Sequence, residues 1–358
     1  MKIKTSTTRL FENLVWIVRK NRIRKGILKY SKEQIKNSDV VPNINRKNVV
    51  EYYKKMGFCE EVDTYEHEWY LASNGIESEK YIPTYVFRKY IEPYFNNSIC
   101  AEAWADKSYY DLLFNGFPFP LSIIKNVDGL YYDNNYKIVS EEDAVNIVRE
   151  YSTIFIKPSM DSGSGKNVQR CDTEKSDVAK ILADYGQNFV VQLPVKQHPF
   201  LSSLNESSVN VVRVISLIFN GEIVVLSATL RIGTEGSITD NCITENGYGM
   251  VCVGVDNSGK LSNTGYYANG KTINMKYSDA YLPGYEEMVE IVKSAHERMG
   301  HFKMVSWDVT IDENSHPVIL EYNIKYQGIA YYQIANGPLF GDLTDRILQE
   351  VFKNANSK

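Results

Sequence analysis

Near the end of the chain two β-branched runs, Ser306-Trp-Asp-Val-Thr-Ile311 and Pro317-Val-Ile-Leu-Glu-Tyr-Asn323, flank a polar break. This pattern predicts a hairpin of two strands. Asp308 interrupts the first run. Glu321 and Asn323 stand two apart on the second, so their side chains leave the same face. Three oxygen-bearing side chains on one side of a sheet suit Mg²⁺, with substrate phosphates filling its other positions. A plainer reading also fits: two solvated carboxylates on an antiparallel edge. The hairpin alone does not separate the two.

A second stretch lies far upstream, Ile154-Phe-Ile-Lys157-Pro-Ser-Met-Asp-Ser-Gly163-Ser-Gly165-Lys-Asn-Val-Gln-Arg170. A strand ends in a lysine, passes a loop of small residues, and returns as a strand. Backbone N–H groups in such a loop can cradle phosphate oxygens, and Lys157 adds positive charge beside them. The stretch is not a P-loop, because Met160 and Asn167 stand where Gly and Ser or Thr are needed. Val168 likewise breaks a dinucleotide-binding glycine pattern. Taken alone, a Gly-rich hairpin turn has the same composition.

Between these stretches the chain reads as alternating strands and helices. Phe189-Val-Val-Gln192-Leu-Pro194 is an extended run of the kind whose backbone can pair with an adenine edge as an interdomain hinge. Arg213 sits on the apolar run Val209 to Phe219, where an unpaired charge is costly to bury, so it faces an anion or a carboxylate. Asn220-Gly221 turns that strand into Glu222 to Arg231. A Gly-rich loop, Gly233 to Asn241, follows. Helices are expected over Glu141–Tyr151, Ser176–Gly186, Pro283–Gly300 and Leu339–Asn354, with a helix starting near Ala105.

The N-terminal part is expected to be helical, from Thr8 to Lys36 and again from Asn48 to Asn97. The first of these carries Arg19, Lys20, Arg22, Arg24, Lys25, Lys29 and Lys32 on its polar face. Such a helix can lie on an anionic membrane surface, or simply pack with a solvated basic face.

Composition narrows the function classes. A formal net charge of −4 does not suggest a nucleic-acid binder. Five cysteines (Cys59, Cys100, Cys171, Cys242 and Cys252) form no paired or metal-spaced set, which fits a reducing, cytoplasmic compartment. There is no run of eighteen apolar residues for a membrane span, and Leu14 to Val18 is too short for a leader.

Taken together, strand-Lys157-Pro with its Gly-Ser-Gly loop, a hinge strand about thirty residues on, and the late Asp308…Glu321-Tyr-Asn323 hairpin form one ordered set. The sequence here resembles the ATP-grasp superfamily, and more narrowly its sugar-transfer-associated branch found in polysaccharide gene clusters. The branch-like segments are Gln197-His-Pro, Leu204-Asn-Glu-Ser-Ser-Val-Asn210-Val-Val-Arg213-Val, Leu230-Arg-Ile-Gly, Asp240-Asn241, Trp307-Asp308 and Glu321-Tyr-Asn323. The resemblance runs from about Asp106 to the end.

It implies an α+β ATP-grasp fold, two subdomains gripping ATP, preceded by a mostly helical N-terminal region. The expected division is a helical region over 1–98, a subdomain with a phosphate-binding lid over 99–191, and a metal-bearing subdomain over 192–358. By resemblance, Lys107 and Lys157 hold the phosphates and the Ser162–Lys166 loop forms the lid, with Ser162, Gly163, Ser164 and Gly165 binding the nucleotide. Gln192, Leu193, Pro194 and Asn210 line the nucleotide, and Asp308, Glu321 and Asn323 carry Mg²⁺. Arg213 and Arg231, with Lys157, act on the γ-phosphate or the substrate carboxylate.

The implied activity is ATP-dependent carboxylate–amine ligation through an acyl phosphate. The implied substrates are a saccharide uronic acid of a capsular or exopolysaccharide and an amino acid or other amine. Two alternatives stay open at this stage: phosphoryl transfer to a sugar or lipid hydroxyl, and a non-catalytic nucleotide-binding scaffold in a glycan assembly complex.

Overall fold

A computed structural model describes residues 24–37, 41–160, 167–240, 249–277 and 279–357. The chain divides into two compact units. The first is discontinuous: Met1–Tyr94, Asn269–Lys271 and Gly328–Lys358. The second comprises Phe95–Ala268 and Thr272–Gln327.

The first unit is helical, as the sequence implies. A helix over 24–37 is followed by Arg46–Lys55, Tyr65–Asn74 and Thr84–Val86, the last running into a π-helical turn, Phe87–Ile91. Asn45 caps the second helix by accepting from the Asn48 N–H, and Gly75 ends the third at φ 74°, a left-handed position that glycine tolerates. Helices Ala330–Asn336 and Thr344–Asn356 complete the unit from the other end of the sequence. Its core is aromatic: Tyr53, Phe58 and Phe352 pack together, the last two with ring centres 4.9 Å apart. Gln333 stitches the two segments by accepting from the Ile82 N–H (2.8 Å) and donating to its carbonyl (2.9 Å). Lys25, Lys29, Lys32 and Lys36 are exposed on the helix over 24–37, whereas Leu10 to Arg22 lie outside the described residues. No described helix is long and apolar enough to cross a membrane.

The second unit holds two antiparallel sheets. The first contains β1 (Ser122–Val127), β2 (Leu130–Asp133), β3 (Ile138–Val139), β4 (Thr153–Pro158), β5 (Gln169–Asp172) and β6 (Phe189–Gln192), in the order β3-β2-β1-β6-β4-β5. Strand alternation gives it two unlike faces. Ile124, Ile154, Ile156, Phe189 and Val191 meet Val148 and Leu182 of helices Glu141–Arg149 and Val178–Tyr185 in one core. Lys125, Val190 and Lys157 are register neighbours on the opposite face.

The second sheet contains β7 (Val211–Phe219), β8 (Glu222–Ile232), β9 (Val251–Val255), β10 (Leu261–Tyr267), β11 (Thr272–Asn274), β12 (Met304–Ile311) and β13 (Pro317–Asn323). Their order is β11-β10-β9-β8-β7-β12-β13. Asn220 and Gly221 turn β7 into β8 with φ of 54° and 84°, the paired positive angles of a type I′ hairpin. Helix Tyr285–His296 buries Met288, Val292 and Ala295 against the sheet.

Several element ends differ from the sequence reading. Asp177 caps its helix, which therefore starts at Val178. The helix near Ala105 is a 3₁₀ turn, Lys107–Tyr109, continued by Tyr110–Leu113. The last helix begins at Thr344 because Gly341–Leu343 is also a 3₁₀ turn.

Candidate active site

β12 and β13 form the expected hairpin, and Asp308 faces Glu321 in its register. Asn323 is two residues further along β13, so all three side chains share a face. Asp308 is not solvated: only 3% of it is exposed. This sets aside the reading in which both carboxylates are free in water. Glu321 keeps about a third of its side-chain surface (33%).

The cations that stand against these carboxylates come from neighbouring strands. Arg213 is the register partner of Asp308 on β7, and its Nε and Nη2 donate to Oδ1 at 2.5 Å and Oδ2 at 2.6 Å. Arg231 on β8 reaches within 3.7 Å of the same carboxylate and donates through Nε to Asp240 at 2.6 Å. Asp240, Arg231, Asp308 and Arg213 thus form a row of alternating charge. Burial pushes the Asp308 carboxyl upward, but Arg213 and Arg231 outweigh it and hold the group down at about 2.

Lys107 links this row to the six-stranded sheet. Its backbone N–H donates to the Ser159 carbonyl at 2.9 Å, just beyond β4, and its Nζ lies 3.5 Å from Glu321. Lys157 stands next to last on β4 nearby. Desolvation, and then the Lys107 charge, pull its ammonium down to about 8, with Glu321 acting the other way. Ser108 Oγ and Ser159 Oγ are buried beside these lysines without hydrogen bonds.

The donor set fits a hard divalent cation. Asp308 is ionised, and each oxygen that accepts from Arg213 keeps a second lone pair. The buried Asn323 Nδ2 makes no hydrogen bond, so no such bond fixes its amide away from the carboxylates. These three residues would hold Mg²⁺, while Lys107 and Lys157 would meet the phosphates.

A family model described as sugar-transfer associated ATP-grasp matches residues 86–349. The chain belongs to this ATP-grasp family. Its α+β fold with two antiparallel sheets agrees with the sequence expectation. No curated protein matches the sequence. Among solved structures, an L-amino acid ligase from Bacillus licheniformis is 13% identical with a TM-score of 0.40, over 70% of this chain and 48% of that one. The ATP-grasp ligase PsnB with a phosphomimetic precursor variant, Mg and ADP is 16% identical with a TM-score of 0.42, over 72% and 61%. D-alanyl-alanine synthetase A from Vibrio cholerae is 14% identical with a TM-score of 0.40, over 77% and 67%. The chain thus spans about half to two thirds of the length of these proteins.

Of the residues singled out from the sequence, Lys107, Lys157, Arg213, Arg231, Asp308, Glu321 and Asn323 occur together in this ATP-grasp protein. Ser162, Gly163, Ser164 and Gly165 lie outside the described residues, as does Asn241. At the hinge, the Gln192 amide donates to Ser122 Oγ at 3.0 Å and the Leu193 N–H to the Leu121 carbonyl at 3.0 Å. Both groups therefore tie this stretch to Leu121 and Ser122 at the start of β1, and Pro194 has no N–H to offer.

Asn210, expected to line the nucleotide, is engaged within the protein. It is fully buried, its amide nitrogen donates to Gln197 Oε1, Leu201 O and Asn205 O, and its Oδ1 accepts from the Gly233 N–H. Its task is to hold the loop after β8. Sequence reasoning also passed over Lys125, whose signal was a lysine inside the apolar run Ser122 to Val127.

Proposed function

We propose that the protein is an ATP-dependent ligase that activates a carboxylate as an acyl phosphate and joins it to an amine. The observation that carries this reading is the 3.5 Å approach of Lys107 to Glu321, which sets the lysine pair against the carboxylate face. A carboxylate and a triphosphate repel one another. Lys107 and Lys157 neutralise the phosphate side of that encounter, and Arg213 and Arg231 steady the incoming carboxylate or the γ-phosphate. Mg²⁺, when bound, supplies further charge neutralisation and orients the phosphates. An amine then displaces phosphate to give the amide, and no nucleophilic side chain is required.

The branch to which the chain belongs favours a saccharide uronic acid as the carboxylate and an amino acid as the amine, handled in the cytoplasm. The deciding experiment supplies Mg·ATP and hydroxylamine across a panel of uronic acids and amino acids. ADP and a hydroxamate appearing together for one carboxylate support ligation and identify the electrophile. AMP in place of ADP, or ADP without hydroxamate, overturns it, the latter in favour of phosphoryl transfer to a hydroxyl.

A further inference from the structure

Lys125 stands in the middle of β1 with its side chain fully buried. Its register partner is Val190 on β6, which pairs on its other side with Lys157 on β4. The two lysines therefore rise from one face of the sheet, two strands apart. Their surroundings differ. Lys125 Nζ lies 2.7 Å from Asp111 Oδ2 and 3.7 Å from the centre of the Tyr136 ring, a cation enclosed by one carboxylate and one π face. The Tyr136 hydroxyl bonds the same carboxylate and lies 2.7 Å from the Ser108 carbonyl.

Asp111 and Ser108 belong to the short 3₁₀ and α-helical segment that begins at Lys107. Its other side meets the seven-stranded sheet: Tyr110 stacks on Tyr322 at 4.5 Å, and Phe114 meets Trp307 edge-on at 5.9 Å. Tyr322 and Trp307 adjoin Glu321 and Asp308. The segment is thus a strut between the sheets, too short to be a stable helix by itself. Its direction depends on what grips it.

We propose that Lys125, Asp111 and Tyr136 form a clamp, built on the buried Lys125 ammonium, that aims Lys107, making Lys125 a positioning residue rather than a third phosphate ligand. This rests on the reading of Lys107 as a nucleotide-binding group. Lys125→Met retains most of the stem and removes the charge, so Asp111 loses its counter-ion and the strut loses its hold on β1.

The test uses the full chain and two readouts. One is the affinity for Mg²⁺ with a non-hydrolysable ATP analogue, measured calorimetrically for Lys125→Met, Lys107→Ala and the double variant. The other is amide hydrogen exchange across residues 106–114. In Lys125→Met, exchange there quickens without spreading through β7 and β12. Affinity falls about tenfold, as expected when a binding group is displaced by a fraction of an ångström or more. The double variant binds no more weakly than Lys107→Ala, because the clamp acts through Lys107.

Unchanged exchange in a folded Lys125→Met protein overturns the proposal. Additive losses in the double variant also overturn it and make Lys125 a ligand in its own right. If Lys125→Met does not fold, Tyr136→Phe is judged by the same two readouts. If the wild-type chain binds no nucleotide, the reading of Lys107 fails, and exchange alone then decides whether the clamp exists.

Discussion

Asp308 and Glu321 face each other across one ladder yet carry different burdens. Asp308 is a buried counter-charge shared by Arg213 and Arg231, so its removal leaves excess positive charge on β7 and β8 even though Arg231 keeps Asp240. Asp308→Asn is expected to abolish ATP cleavage and to cost about 3 kcal/mol of stability, since breaking a buried pair leaves an uncompensated charge. Glu321→Gln is expected to abolish cleavage with a stability change below about 1 kcal/mol, because its Lys107 contact is partly solvated. Urea unfolding beside ADP release checks both, and equal destabilisation by the two variants would refute the distinction. The shared face of Glu321 and Asn323 was readable from sequence because strands alternate. Lys125 was not, since its burial depends on Asp111 and Tyr136, which reach it from a strut and from the β2–β3 turn.

At the scale of elements, one chain of hydrogen bonds fixes the inner face of the β12–β13 hairpin. The Trp307 Nε1–H donates to Ser216 Oγ at 2.8 Å. Ser216 Oγ lies 2.7 Å from His296 Nδ1, and His296 Nε2 lies 2.9 Å from the Phe302 carbonyl. Because the Phe302 carbonyl can only accept, the neutral imidazole carries its proton on Nε2, and Nδ1 accepts from the Ser216 hydroxyl, whose oxygen accepts from the indole. Burial pulls the His296 imidazole down to about 4. A base depressed in the fold contributes stability above its unfolded value near 6.5, lost as pH falls towards 4. The expected loss is about 3 kcal/mol. Tm compared at pH 7 and 4.5 for wild type and His296→Asn checks it, and the same pH dependence in both would rule the histidine out. The hairpins were legible from sequence through β-branched runs and the Asn220-Gly221 turn. The strut was not: a 3₁₀ turn and a single helical turn lack the periodicity that marks a helix, and only packing between two sheets gives them shape.

At the scale of the molecule, the first unit is assembled from both ends of the described sequence. Phe352, in the final helix, fills the aromatic core formed by Tyr53 and Phe58. Phe352→Ala is expected to cost about 3–5 kcal/mol. The loss belongs to the first unit, so hydrogen exchange should quicken in helix Arg46–Lys55 and leave β7 and β12 protected. Uniform quickening would show that the two units unfold as one. Sequence periodicity revealed the helices at each end but not their partnership, because nothing local in Ile347, Leu348, Val351 and Phe352 names the surface they cover.

That discontinuity governs how the chain is born. On a ribosome the helices up to Tyr94 emerge early, but Gly328–Lys358 appear only after the whole second unit has been made. At typical elongation rates the interval is on the order of tens of seconds. Throughout it, Tyr53 and Phe58 lack Phe352 as a packing partner. The yield of folded protein is therefore expected to depend on how long that aromatic surface waits for its cover, as well as on the final stability of either unit.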